Sequence, residues 1–221
     1  MGHHKLEHFA ENLTFPNLFQ VSYKTLQDEG GFALRGQWCK HFGNDNPIVL
    51  ELGCGKGDYT IALARIHPEC NYIGVDIKGA RLWRGAKTGV EEQMSNVAFV
   101  RTHIELIENF FAPDEVSEIW ITFPDPQPKK PTKRLTCERF LNHYRHFLRP
   151  GSPIHLKTDS QELYAYTLED VIAPAGYSVE VSTNDLYASD YEGEAKLTQT
   201  FYERMFLAEG KPITYIKFRI N

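Results

Sequence analysis

From residue 48 onward, short apolar runs alternate with longer stretches whose apolar positions recur at helical spacing. Ile48–Leu52, Tyr72–Val75, Val97–Val100, Ile119–Phe123 and Ile154–Leu156 are runs of the first kind. Between them, Asp58–Ile66, the stretch that ends near Met94, Leu135–Leu148 and Glu162–Ile172 carry the helical period, and Glu105–Phe111 carries it weakly. Strand alternating with helix predicts βαβ units and a parallel sheet. Two closing strands, Tyr177–Val181 and Ile213–Ile220, lack a full helix-length pattern between them, so they are expected to pair antiparallel at one edge. The expected fold is therefore α/β: a Rossmann-like, doubly wound, mostly parallel sheet with an antiparallel edge pair. Residues 1–46 carry several aromatics and no clear strand, and they read as a helical or irregular N-terminal extension ending at Gly43-Asn44-Asp45-Asn46-Pro47. The main domain is then 47–221. Within it, Asn184–Gly210 is acidic and irregular and reads as a functional loop or lid.

Length and charge narrow the function classes. The chain has 221 residues and a formal charge of −5, which fits one domain with a real core, or a domain plus a small extension. A globally basic nucleic-acid coat is excluded, so a polyanionic partner needs a local patch. One exists. Between residues 126 and 149, seven cations (Lys129, Lys130, Lys133, Arg134, Arg139, Arg145, Arg149) face the single acid Glu138, a local balance of +6 suited to a phosphate backbone. The four cysteines, at 39, 54, 70 and 137, have no C-x-x-C spacing and read as reduced thiols rather than a disulfide framework or zinc site. His143 and His146 stand one helical turn apart without an acidic or cysteine partner at ligand spacing, so no metal is expected. No apolar run approaches the roughly 20 residues of a membrane span, and residues 1–5 hold no apolar signal region. A cytoplasmic location is expected.

The sharpest motif is Glu51-Leu52-Gly53-Cys54-Gly55-Lys56-Gly57, which follows the first strand and opens the first helix. A doubly wound sheet binds nucleotide-like ligands there. Glycines let the backbone approach the ligand and present N–H groups at a helix N-terminus. Asp76 closes the second strand, where an acid accepts both ribose hydroxyls. The dinucleotide fingerprint G-x-G-x-x-G needs a glycine where Asp58 stands, which counts against a nicotinamide enzyme. The pattern is instead acid-x-G-x-G-x-G, which resembles the cofactor loop of class I methyltransferases that use S-adenosylmethionine. That cofactor carries a sulfonium and an ammonium and no pyrophosphate, so carboxylates suit it.

A second motif, Phe123-Pro124-Asp125-Pro126-Gln127-Pro128-Lys129-Lys130, follows the fourth strand of the alternating series. Three prolines fix φ and stiffen this loop at the carboxyl end of a central strand, where a target base would be held.

Taken with Tyr72-Ile73-Gly74-Val75-Asp76, Ile154-His155-Leu156-Lys157-Thr158-Asp159, Thr200-Phe201-Tyr202-Glu203 and Gly210-Lys211-Pro212-Ile213, these motifs run in order over about residues 48–218. The combination resembles the bacterial tRNA (guanine-N7)-methyltransferases. The resemblance implies that 47–221 is a class I methyltransferase domain and that S-adenosylmethionine is held by Glu51, Gly53, Gly55, Asp76, His103 and Asp125. It also implies that Lys129, Asp159, Thr200 and Glu203 bind substrate and that tRNA is the partner; Asp125 is the expected catalytic residue because a carboxylate held beside the guanine stabilises the positive charge that develops on the ring. There are three departures. His103 stands where the family has an acid near the adenine, Gln127 stands where it has Trp, and the basic stretch after the lysines is shortened to Pro131-Thr132-Lys133-Arg134. Two alternatives remain open at this point: a methyltransferase for another substrate, and a non-catalytic RNA-binding module with a decayed cofactor loop. The sequence leaves monomer and homodimer equally open.

Overall fold

The apolar runs assemble into one eight-stranded sheet. In the computed structural model, which describes residues 3–220, the strands are β1 (Leu18–Gln20), β2 (Ile48–Leu52), β3 (Asn71–Asp76), β4 (Val97–Arg101), β5 (Val116–Thr122), β6 (Pro153–Thr158), β7 (Ser178–Thr183) and β8 (Thr214–Arg219). Their order is β1-β4-β3-β2-β5-β6-β8-β7. All pairs among β1–β6 are parallel. The last strand, β8, lies antiparallel between β6 and β7, giving the expected edge pair. Every residue of β2 and β3 is buried, which is why these strands read as continuous apolar runs rather than alternating ones: helices cover both faces of a parallel sheet. The strand order reverses at β2, with β3 and β4 to one side and β5 and β6 to the other. That reversal opens a crevice at the carboxyl ends of the strands.

Two segments depart from the expectation. The N-terminal extension supplies β1, which pairs with β4 through Leu18↔Phe99, Phe19↔Val100 and Gln20↔Arg101. A three-residue edge strand is too short to show a period. Farther along the same extension, Trp38 is fully buried, donates its indole N–H to the Phe110 carbonyl (2.9 Å) and stacks on Phe111. In the C-terminal half, the stretch 184–210 is not wholly irregular. It holds the helices Glu194–Leu197 and Phe201–Ala208, the second opened by a capping box in which the Thr200 hydroxyl accepts from the Glu203 N–H and the Glu203 carboxylate accepts from the Thr200 N–H. Phe201, Tyr202 and Met205 of that helix face solvent, which hides its apolar period.

One aromatic ring sets the spacing beneath the crevice. Phe99 of β4 is fully buried against three glycines: Gly57 in the loop after β2, Gly74 in β3 and Gly85 in the helix Gly79–Glu91. A β-carbon on Gly85 would lie 2.6 Å from the ring and 2.8 Å from the Lys56 carbonyl oxygen. Alanine inside a helix normally stabilises relative to glycine by ~0.5–1 kcal/mol. Here overpacking against ring and backbone reverses the sign. Gly85→Ala is expected to lower stability by about 1–3 kcal/mol, read as a lower urea midpoint; an unchanged or higher midpoint would contradict the close approach.

Candidate active site

At the end of β2 the chain turns through Gly53, Gly55 and Gly57, all with positive φ (77°, 58° and 73°), into the helix Asp58–Ile66. The Gly53 and Cys54 N–H groups both donate to the Val75 carbonyl (2.8 and 3.0 Å). The Gly55 N–H donates to one Asp76 oxygen (2.9 Å) and the Lys78 N–H to the other (2.7 Å). A β-carbon on Gly55 would meet nothing within 4 Å, and one on Gly53 only the Leu135 side chain at 3.8 Å. These glycines serve the left-handed backbone and leave the space before them open.

That space is a two-lobed cleft hinged on Gly53. One lobe, about 220 Å³, is lined by Asp76, His103, Gln127, Lys133 and Leu135. The other, about 80 Å³, is lined by Glu51, Gly55, Tyr59, Thr122, Phe123 and Thr200. Each lobe has two carboxyl-bearing residues in its wall, Asp76 and Glu105 in the larger and Glu51 and Asp58 in the smaller, an arrangement that fits a cofactor with a nucleoside at one end and a cationic amino acid at the other. The Tyr59 hydroxyl, buried in the wall of the smaller lobe, has no hydrogen-bond partner among the described residues, and a polar ligand there would satisfy it.

Glu51 is almost wholly buried. Its carboxylate accepts from the Thr60 N–H (2.8 Å), the Thr60 hydroxyl and the Thr122 hydroxyl. Burial pushes the Glu51 carboxyl up to about 7, against the lowering effect of those hydrogen bonds. Asp76 keeps further lone pairs after accepting its two backbone bonds, since a carboxylate offers roughly four acceptor sites. The exposed His103 shares the larger lobe with it.

The proline-rich loop leaves the end of β5 with two non-glycine residues in the left-handed region, Phe123 (φ 47°) and Gln127 (φ 46°). They bracket Asp125, which is exposed and accepts the Gln127 N–H (3.1 Å). Strained backbone of this kind persists where surrounding contacts over-determine it. Two such contacts stand out: the Phe123 N–H donates to the Lys157 carbonyl (2.8 Å), and Arg134 donates to the Pro126 carbonyl (3.0 Å) while pairing with Glu162 and lying over the Tyr166 ring. The arginine is only 4% exposed. The expected basic face is accordingly narrower than the seven charges suggest. Lys129, Lys130, Lys133 and Arg139 are exposed, whereas Arg134 turns inward and Arg145 bonds Glu138 and Tyr177. Arg149 bonds the Asp114 carbonyl near the opposite, amino-terminal ends of the strands.

Across the cleft, Thr200 lines the smaller lobe, but Glu203 stands behind it at 0% exposure. Its carboxylate accepts from Lys157 (2.7 Å), the Tyr187 hydroxyl (2.6 Å) and the Thr200 N–H (3.2 Å). Glu203, expected to bind substrate, is thus enclosed by Lys157, Tyr187 and the Thr200 backbone. Asp159 lies half-buried just beyond β6, and Lys129 lies exposed on the proline-rich loop; neither lines the two lobes. The residue that sequence reasoning passed over is Lys157. It is fully buried, donating to the Ala195 and Thr198 carbonyls as well as to Glu203. Its signal was a lysine inside an otherwise apolar strand, which has to find a buried partner. Burial acts to lower its pKa, and the Glu203 charge and hydrogen bond act to raise it. Among the described residues there is no group of side chains that could hold a metal ion and no helix long and apolar enough to cross a membrane.

Comparison with known proteins places this geometry. A family model described as "Putative methyltransferase" matches residues 45–216. The tRNA (guanine-N(7)-)-methyltransferase of Christiangramia forsetii is 53% identical over 98% of this chain and 98% of its own length. The protein of the same name from Bacteroides thetaiotaomicron is 50% identical over 100% of this chain and 87% of its own. Among solved structures, the 16S rRNA methyltransferase KamB superposes with a TM-score of 0.64 at 15% identity, over 84% of this chain and 93% of that one. An antibiotic-related methyltransferase gives 0.63 at 16% identity, over 84% and 94%. These two likenesses speak for the fold.

Two stability measurements follow from the buried charges. A carboxyl whose pKa is raised by folding contributes stability below its unfolded value near 4.5, and that stability is lost as pH rises through about 7. Glu51→Gln should therefore gain on the wild type as pH climbs from 5 to 8, by up to about 3 kcal/mol; parallel stability–pH curves would refute the shift. Glu203→Gln, which strands the Lys157 ammonium, is expected to cost ~3–5 kcal/mol. The double variant Lys157→Met/Glu203→Gln should lose clearly less than the sum of the two single losses in a urea-melt cycle.

Proposed function

The chain belongs to the tRNA (guanine-N7)-methyltransferase family, and from that premise we propose how its residues divide the work of methylating a guanosine in the tRNA variable loop. The protein is an S-adenosylmethionine-dependent methyltransferase. The observation that carries the assignment of residues is the two-lobed cleft, with carboxylates in each lobe and the stiff Asp125 loop at its rim. Residues 47–221 hold this machinery, and residues 1–46 extend it by an edge strand. With tRNA as its substrate, its place is the cytoplasm.

S-adenosylmethionine supplies an electrophilic methyl group on a sulfonium. Asp76 accepts the ribose hydroxyls in the larger lobe, with His103 as a hydrogen-bonding neighbour of the adenine. Gly53 and Gly55 allow close backbone approach. In the smaller lobe Glu51, ionised as pH passes about 7, faces the cationic amino-acid end, and Tyr59 offers its hydroxyl. Guanine N7 carries an in-plane lone pair and no proton, so no residue has to act as a base before attack. The protein contributes proximity and alignment. As positive charge develops on the purine, a carboxylate already held beside the ring stabilises it without reorganisation. Asp125 is that carboxylate, kept in position by the flanking prolines and by the anchors at Phe123 and Arg134. Thr200 and Asp159 help to hold the base, Glu203 positions Thr200, and Lys129 meets a phosphate. The N7 edge lies in the deep, narrow groove of A-form RNA, so the target is reached in an irregular loop or drawn from its stack.

Mass analysis of tRNA nucleosides after incubation with the cofactor should reveal N7-methylguanosine. Label in protein or small molecules and none in tRNA would refute the substrate. Asp125→Ala should lower kcat for this transfer by about 100-fold or more while tRNA affinity falls little; an unchanged kcat removes Asp125 from the chemistry.

A further inference from the structure

A broad groove lies outside the two-lobed cleft. It has a volume of about 510 Å³ and runs between the helices Asp58–Ile66, Gly79–Glu91 and Phe201–Ala208. Lys56 and Asp58 belong to the wall of this groove and to that of the smaller lobe, so the two spaces are continuous. Four cations line it (Lys56, Arg65, Arg84 and Arg204) against two acids, Asp58 and Glu92. These charges are not equally available. Arg65 is spent on Glu92, through a bidentate pair that holds the Glu92 carboxyl below its usual range. Lys56 lies over the Phe201 ring, 5.4 Å from its centre. Arg84 forms no close ion pair among the described residues, though its charge also acts on Glu92, and Arg204 bonds the Gln199 carbonyl (2.8 Å) through one of its nitrogens. Both are exposed, Arg84 on the helix Gly79–Glu91 and Arg204 on the helix Phe201–Ala208. Phe201 in its wall is 48% exposed, and the adjacent Tyr202, which lines the smaller lobe, is 45% exposed.

Exposed guanidinium groups from two helices of one open groove, with exposed aromatic residues beside them, are the elements of a surface that binds a single-stranded or looped nucleic acid. The cations follow the phosphates, and the rings offer stacking platforms. In a chain of net charge −5, such a concentration does not arise from a generally basic surface. An open groove suits a continuous polyanion better than an enclosed small ligand. We infer that this groove is a second docking surface for the tRNA, and that Arg84 and Arg204 take the phosphates of the segment flanking the methylated guanosine. The inference rests on the reading of the substrate as tRNA. The exposed cations Lys129, Lys130, Lys133 and Arg139 stand on the proline-rich side of the cleft, and Arg84 and Arg204 stand beyond its other lobe. The target segment is then gripped on both sides of the reacting atom.

The test measures binding of unmodified tRNA as a function of salt, for the wild type, Arg84→Ala/Arg204→Ala and Arg65→Ala. The double variant should bind tRNA about tenfold more weakly, with the slope of log affinity against log salt reduced by about 2, one for each lost phosphate contact. Its affinity for S-adenosylhomocysteine and its kcat at saturating tRNA should stay at the wild-type level. Arg65→Ala, which removes a cation already neutralised, should leave the salt slope unchanged. Wild-type tRNA affinity and slope in the double variant would overturn the groove, as would a parallel loss of S-adenosylhomocysteine binding, which would mean that the arginines act through the cofactor loop. A wild-type protein that forms no N7-methylguanosine in tRNA would instead sink the tRNA reading itself, and the two failures are told apart by that one control.

Discussion

The walls of the cleft hang on Lys157. Its main-chain carbonyl receives the Phe123 N–H at the root of the proline-rich loop, and its side chain reaches the Ala195 and Thr198 carbonyls and the Glu203 carboxylate. One residue of a central strand therefore fixes the position of Asp125 on one side and of Thr200 on the other. Burying an ammonium and a carboxylate costs several kcal/mol each before their attraction and hydrogen bonds offset it. The net gain in stability is small, but the geometry is specific. An apolar pair of equal volume would fill the space without saying where the Phe201–Ala208 helix must begin.

The parallel sheet was legible in the sequence because its central strands are buried on both faces and read as unbroken apolar runs. The cofactor loop was legible because left-handed backbone demands glycine, so Gly53, Gly55 and Gly57 announce the turn in the sequence itself. Other parts were hidden for physical reasons. β1 is three residues long and shows no period. The Phe201–Ala208 helix presents Phe201, Tyr202 and Met205 to solvent, where apolar residues break the amphipathic pattern. The charge count of residues 126–149 was right and its geometry was not, because a sequence gives the sign of Arg134 and not its direction. Turned inward, that arginine secures Pro126 rather than meeting a phosphate. Glu203 was noticed as a motif letter, but only the fold reveals that Lys157 and Tyr187 occupy it.

Charge is sorted in this molecule at three depths. Outermost, exposed cations stand on both sides of the cleft in a chain whose total is negative. In the cleft wall, Asp76 stays within reach of a ligand, while Glu51 is buried deeply enough that its ionisation depends on pH near neutrality. Deepest, the Lys157–Glu203 pair is internally neutral.

Phe99 joins two of these regions in a way that neither shows alone. Its main-chain N–H donates to the Asn17 carbonyl (2.7 Å) and so fastens the N-terminal segment to β4. Its ring props Gly57 and Gly85, the floor of the cofactor loop. The segment around Asn17 and the cofactor loop thus share one pin. Whatever tightens one end of such a linkage tightens the other by an equal free energy: a docked edge strand favours the loop that receives the cofactor, and a bound cofactor favours the docked strand.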